Sequence, residues 1–170
     1  PETADEIWER ANAKLAEPDF CVHGILKKFD VRVVGTTDDP ADPLDDHEAI
    51  AKSGSKTVVA PTFRPDKALL VDRPDLLEPW LQKLEGISDI NITHFSDLLA
   101  ALQKRHDDFH AAGARLSDHG LDRLPNLPCT DVEAAMIFDK ARAGKAATPE
   151  EKEKFSFYLT LIFFPVKLKK

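Results

Sequence analysis

Val31-Arg32-Val33-Val34-Gly35-Thr36-Thr37-Asp38-Asp39-Pro40 is the stretch on which the reading of this sequence turns. Its β-branched start reads as a short strand, and its Thr, Asp and Pro end reads as a polar turn. The same grammar recurs at Lys56-Thr57-Val58-Val59-Ala60-Pro61, which runs into Thr62-Phe63-Arg64-Pro65-Asp66. A third, shorter version is Ala114-Arg115-Leu116-Ser117-Asp118-His119-Gly120. Helical patterns separate the three. One covers Asp45 to Lys52, one carries Leu76, Leu77, Trp80, Leu81 and Leu84, and one runs from Ser96 to Ala112. The last has Leu98, Leu99, Leu102, Arg105 and Phe109 at the spacing of an inner face. Strands alternating with helices predict α/β class and a parallel sheet of βαβ units, because parallel neighbours need a long crossover.

Upstream of this core pattern, Thr3-Ala4-Asp5-Glu6 has the T-x-x-E spacing of a capping box and predicts a helix carrying Ile7, Trp8, Ala11 and Leu15, closed by Pro18. A second short helix is expected from Phe20 to Phe29, so residues 1–30 form a helical segment. Downstream, Gly113 stands where a left-handed helix cap is wanted. Two more capping boxes, Thr130-Asp131-Val132-Glu133 and Thr148-Pro149-Glu150-Glu151, each open a helix, the second with Pro at the favoured first position.

The whole chain has 170 residues, 30 acidic and 23 basic, for a net charge of −7, and is 42% apolar. That suits one globular domain. The acidic balance repels phosphate backbones, which argues against nucleic-acid binding, and no apolar run is long enough to span a membrane. Cys21 and Cys129 stand far apart without metal-ligand spacing, so neither a disulfide framework nor a structural metal is expected. The acidic start lacks the pattern of a secretory signal, and a cytoplasmic location is the expectation.

In α/β folds the ligand site lies at the carboxyl ends of the strands. Three polar clusters should therefore converge: Thr36, Thr37, Asp38 and Asp39; Arg64 and Asp66; Ser117, Asp118 and His119. Arg64 would offer a planar fork to a carboxylate or phosphate, or else pair structurally with Asp66 or Asp38. Asp118 and His119 read as an acid/base pair or as an ordinary loop pair. Asp38 and Asp39 before Pro40 suit a capping turn as readily as an active site. His106 and His110 have the i, i+4 spacing of helical zinc sites but no third ligand. His23, His47 and His94 show no partner spacing and read as surface or packing residues. There is no glycine-rich phosphate loop and no nucleophile elbow.

Taken together, Lys27 to Pro40 with its GTTDDP string, Ala60-Pro61-Thr62-Phe63-Arg64-Pro65-Asp66-Lys67, and Arg115 to Gly120 closely resemble the middle of uronate (glucuronate) isomerase, over about Thr3 to Phe155. The resemblance implies a (β/α)8 (TIM-type) barrel of the amidohydrolase superfamily, here a partial barrel over residues 31–155. It further implies interconversion of D-glucuronate with D-fructuronate and of D-galacturonate with D-tagaturonate. A proton leaves C2, a cis-enediol forms, and the proton returns at C1. By that resemblance Arg64, Thr37 and Asp38 would bind the sugar acid, and Asp118 and His119 would line the reacting end.

The departures also matter. Family members are longer, use zinc or another divalent metal, and carry a His-x-His pair on the first barrel strand; no His-x-His occurs in this chain. No metal is expected to bind it. The chain reads as an internal fragment, inactive alone, whose tail over 156–170 looks like a truncated or frame-shifted ending. Either Leu159, Ile162, Phe163 and Phe164 are exposed and drive self-association into a homo-oligomer, which is the expectation, or the chain folds as a smaller open α/β unit. Two classes stand: part of an isomerase, or a noncatalytic module that binds sugar acids or assembles with itself.

Overall fold

β1 (Val33–Gly35) and β2 (Val58–Ala60) run side by side in parallel, with Val33 opposite Val58, Val34 opposite Val59 and Gly35 opposite Ala60. This is the computed structural model of the chain, and it describes residues 3–163. Past the strand ends the pairing continues as single bridges, Asp38 with Phe63 and Phe63 with Ser117, both parallel. The expected third strand is thus present only as one bridge. It pairs through Phe63 N to Leu116 O at 3.2 Å and Asp118 N to Phe63 O at 3.3 Å. Gly113, at φ +102°, bends the chain just before it, and its own Leu116 is exposed, so little burial extends the pairing. The fold is α/β and rich in helix, with a small two-stranded parallel sheet among the described residues.

Among the described residues seven α-helices accompany the sheet: α1 (Ala4–Leu15), α2 (Val22–Lys28), α3 (Asp45–Lys52), α4 (Pro74–Ser88), α5 (Phe95–Ala111), α6 (Asp131–Arg142) and α7 (Pro149–Phe163). The segment expected as one helix from Phe20 is a 3-10 turn, Pro18–Phe20, followed by α2. Helix starts differ in how well they are capped. At α6, Glu133 N donates to Thr130 Oγ1 at 3.2 Å while Glu133 accepts from Thr130 N at 2.9 Å. At α7, Thr148 and Glu151 make the same exchange at 3.2 and 2.7 Å. Thr3 caps α1 without any side-chain hydrogen bond, so the box expected there does not form. α5 has a start signal that the sequence reading missed: Asp97 Oδ2 accepts His94 N at 2.8 Å and Thr93 N at 3.0 Å.

Among the described residues the main buried hydrophobic cluster runs from Phe63 to Phe163, with Pro40 and Pro61 also fully buried ahead of it. Leu77, Leu81 and Leu84 of α4, Leu98, Leu102 and Phe109 of α5, Phe138 of α6 and Phe155 of α7 are essentially inaccessible. Phe95 stacks at a tilt on Phe138 at 5.8 Å and on Phe155 at 5.5 Å. α7 runs without a break through the 155/156 boundary of the expected tail. Leu159 and Phe163 are buried within the chain rather than exposed, because α7 lays them onto its own core; Ile162 is exposed, and Phe164 lies outside the described residues.

Candidate functional site

The turn after β1 is pinned from below. Trp80 Nε1 donates to Asp39 Oδ1 at 2.7 Å, and Ala41 N donates to the same oxygen at 2.8 Å. The buried Arg105 guanidinium donates from Nε to Pro40 O at 2.8 Å, from Nη2 to Asp42 O at 3.0 Å and from Nη1 to Asp108 at 2.8 Å. Burying that cation is tolerable because three acceptors meet its fork. Asp39 is therefore a capping and packing residue of the turn, one of the two roles open to it from sequence.

Above this base the three predicted clusters meet. Arg64 N donates to Asp38 O at 3.0 Å, which places the guanidinium-bearing residue beside the end of β1. Arg64 Nε donates to Asp66 Oδ2 at 2.8 Å, and Nη1 lies 3.7 Å from Asp118 Oδ2. Both carboxylates raise the Arg64 pKa above its ordinary value, the Asp66 hydrogen bond most, so the group is a fixed cation. Thr37 Oγ1 reaches Asp118 Oδ2 at 3.5 Å, the long limit of a hydrogen bond. His119, with 11% of its side chain exposed, sets Nδ1 3.3 Å from Asp66 Oδ1. Gly120 N donates to Asp66 Oδ2 at 2.7 Å. The absence of a side chain there lets the guanidinium lie against the backbone, since a Cβ would fall 2.1 Å from Arg64 Nη2 and push that group aside.

Asp38 is less available. Its Oδ2 accepts from Thr36 Oγ1 at 2.6 Å and from Thr62 N at 3.2 Å, tying β1 to the end of β2. The residue that sequence reasoning missed is His47 on α3. Its Nε2 lies 2.7 Å from Thr36 Oγ1 and 3.6 Å from Asp38 Oδ1, with 11% of the side chain exposed. No spacing signal could reveal this contact, because it depends on how α3 packs back on β1. His106 instead packs edge-on against Phe63 at 5.4 Å, and His110 lies beside Arg115. Beside the cluster, Asp66, Lys67, Leu70, Gly120 and Lys152 help line a cleft of about 530 Å³. Among the described residues no three His, Cys, Asp or Glu side chains stand together as a metal set. Asp38 and Asp66 are engaged by Thr36, Arg64 and backbone amides, and Asp118 Oδ1 alone is buried without a partner among the described residues, so the set offers one free carboxylate oxygen, too few to hold an ion.

Residues 1–169 match the family described as glucuronate isomerase. The uronate isomerase of Opitutus terrae is 53% identical over 161 residues, covering 95% of this chain and 34% of the relative. That of Solibacter usitatus is 51% identical over 162 residues, covering 95% and 35%. Among solved structures, uronate isomerase from Thermotoga maritima superposes with a TM-score of 0.85 at 28% identity, covering 95% of this chain and 35% of that one. Glucuronate isomerase from Caulobacter crescentus gives 0.85 and 28%, with 95% and 33% covered. The chain spans about a third of the length of these relatives. No described helix is long and apolar enough to cross a membrane. On a match that runs across nearly all of its residues, the chain belongs to the glucuronate (uronate) isomerase family.

Proposed function

We propose that this chain forms part of the sugar-acid site of a uronate isomerase, as one section of a (β/α)8 barrel of the amidohydrolase superfamily. Arg64 meets the substrate carboxylate, Thr37 and Asp38 shape the wall beside it, and Asp118 and His119 face the reacting end. The observation that carries this reading is the convergence of the segments after β1 and β2 with the bridged segment at Ser117, 81 residues apart at the extremes of the Thr37–Asp118 contact, around one partly exposed guanidinium. Among the described residues Arg64 spends only Nε on a hydrogen bond; Nη2 lies against Gly120, and Nη1 is the donor turned to an incoming carboxylate. That carboxylate displaces Asp118, the weaker of the two neighbours at 3.7 Å, while Asp66 keeps the guanidinium oriented.

Aldose–ketose isomerisation moves a proton from C2 to C1 through an enediol, so it needs a proton carrier and charge stabilisation beside those carbons. Asp66 orients the His119 ring, and Asp118, once released from Arg64, supplies a second carboxylate at the same end. A divalent metal such as zinc belongs to the full-length family by resemblance; among the described residues no set assembles to hold one. The 170-residue chain by itself is expected to bind sugar acid without turning it over.

The test is a calorimetric titration of D-glucuronate into the chain and into Arg64→Ala, run beside a coupled assay for D-fructuronate with and without zinc. Saturable binding that Arg64→Ala abolishes, without turnover, supports the reading. Binding that survives Arg64→Ala removes Arg64 from the site, and turnover by the chain overturns its expected inactivity.

A further inference from the structure

We propose that His47 is a positioning residue of this site: through Thr36 and Asp38 it holds the end of β2 in the register that aims Arg64, while touching no substrate itself. The proposal rests on the reading of Arg64 as the anion-binding group. Thr36 has one hydroxyl proton, and at 2.6 Å from Asp38 Oδ2 that proton is given to the carboxylate. The 2.7 Å contact between Thr36 Oγ1 and His47 Nε2 then requires the proton of that contact to sit on Nε2. His47 thus donates to Thr36, Thr36 donates to Asp38, and Asp38 Oδ2 accepts Thr62 N at 3.2 Å on the neighbouring strand. Two residues on, Arg64 N donates to Asp38 O.

The chain of contacts therefore starts on α3 and ends at the backbone of the guanidinium-bearing residue. His47 Nδ1 is buried and has no hydrogen-bond partner among the described residues. The ring is thus held through its Nε2 edge alone, and a side chain that donates from the same place can replace it. A purely space-filling histidine would not need a donor there. Glutamine, whose amide N–H can approach the position of Nε2, restores the donor; leucine fills the volume without it.

The experiment compares wild type, His47→Leu and His47→Gln as the full 170-residue chain, by D-glucuronate titration, thermal melting and 15N NMR. The wild-type ring is expected to show a protonated Nε2. His47→Leu should weaken glucuronate about tenfold, the effect of roughly one lost hydrogen bond, and shift the Thr62 and Arg64 amide resonances. His47→Gln should restore both. An unprotonated Nε2 in the wild type overturns the proposal. So does a leucine variant that leaves the Arg64 amide unmoved, or a glutamine variant no better than leucine. If wild type binds no glucuronate, the anion-site reading falls separately, while the amide shifts and ring protonation still decide whether His47 sets the β2 register. If His47→Leu does not fold, the glutamine variant and the ring measurement decide it.

Discussion

Helix α7 buries Phe155 and Leu159, whereas α1, of similar length, buries nothing: Trp8 is 70% exposed and Ile7 53%. The contrast extends to the two parts of the molecule. From Phe63 onward, four long helices share one apolar core; before it, the chain contributes the strands, the polar turn and three helices without a buried apolar side chain. The earlier part is tied together by the β1–β2 ladder and held to the rest by Trp80 to Asp39 and Arg105 to Pro40, with only Pro40, Ala41, Leu44 and Pro61 among the described residues adding apolar packing. Non-directional burial therefore stabilises one part, and hydrogen-bond geometry shapes the other. The strand-end site lies on the seam, taking Thr37 and Asp38 from one side and Arg64, Asp118 and His119 from the other.

The largest test of that contrast is a pair of truncations. Phe155→Ala, at a fully buried ring, should cost about 3–5 kcal/mol in urea unfolding. Trp8→Ala should change it by less than ~0.5 kcal/mol, and comparable losses at the two positions would break the comparison. Next comes Gly120→Ala, whose new Cβ would collide with Arg64 Nη2. The guanidinium must swing away, so glucuronate affinity should fall about tenfold or more while stability moves by less than ~1 kcal/mol; calorimetry beside a melt separates the two.

Thr130→Ala, which removes a working cap, should cost about 1 kcal/mol, and Thr3→Ala, which removes none, should be silent in the same urea series. The smallest effect is acidic. Backbone donation from His94 lowers the Asp97 pKa, backbone donation from Thr130 lowers that of Glu133, and the Lys140 hydrogen bond lowers that of Glu151. Each is lower folded than unfolded, so its contribution is complete above the ordinary carboxylate range and is lost as pH falls below roughly 4. Melts from pH 7 to 3 should show this loss, and Asp97→Asn should make it shallower.

The contrast also explains what was legible in the sequence. Val33, Val34, Val58 and Val59 announced both strands by local preference, and α3 begins and ends where its pattern does. The convergence of Arg64 with Asp118 and His119 followed from the strand-end rule. The Thr3 box failed because its spacing is necessary for a cap but not sufficient; α1 buries no face to hold that end in place. Leu159 and Phe163 were misread because α7 carries no contrast between polar and apolar faces strong enough to show which side meets the core. His47 stayed hidden because its partners sit 9 and 11 residues away across a turn, at no repeating interval.

Arg105 has a further consequence. Its guanidinium holds two carbonyls of the β1 exit turn across 65 and 63 residues of chain. That clasp exists only while α5 is wound, whereas α5 is also held to the helical core through Phe95, Leu98 and Leu102. The recognition end should accordingly be the last region to order and the first to loosen. Mild denaturant would then switch off ligand capture at concentrations where the circular-dichroism signal of the helices has hardly changed.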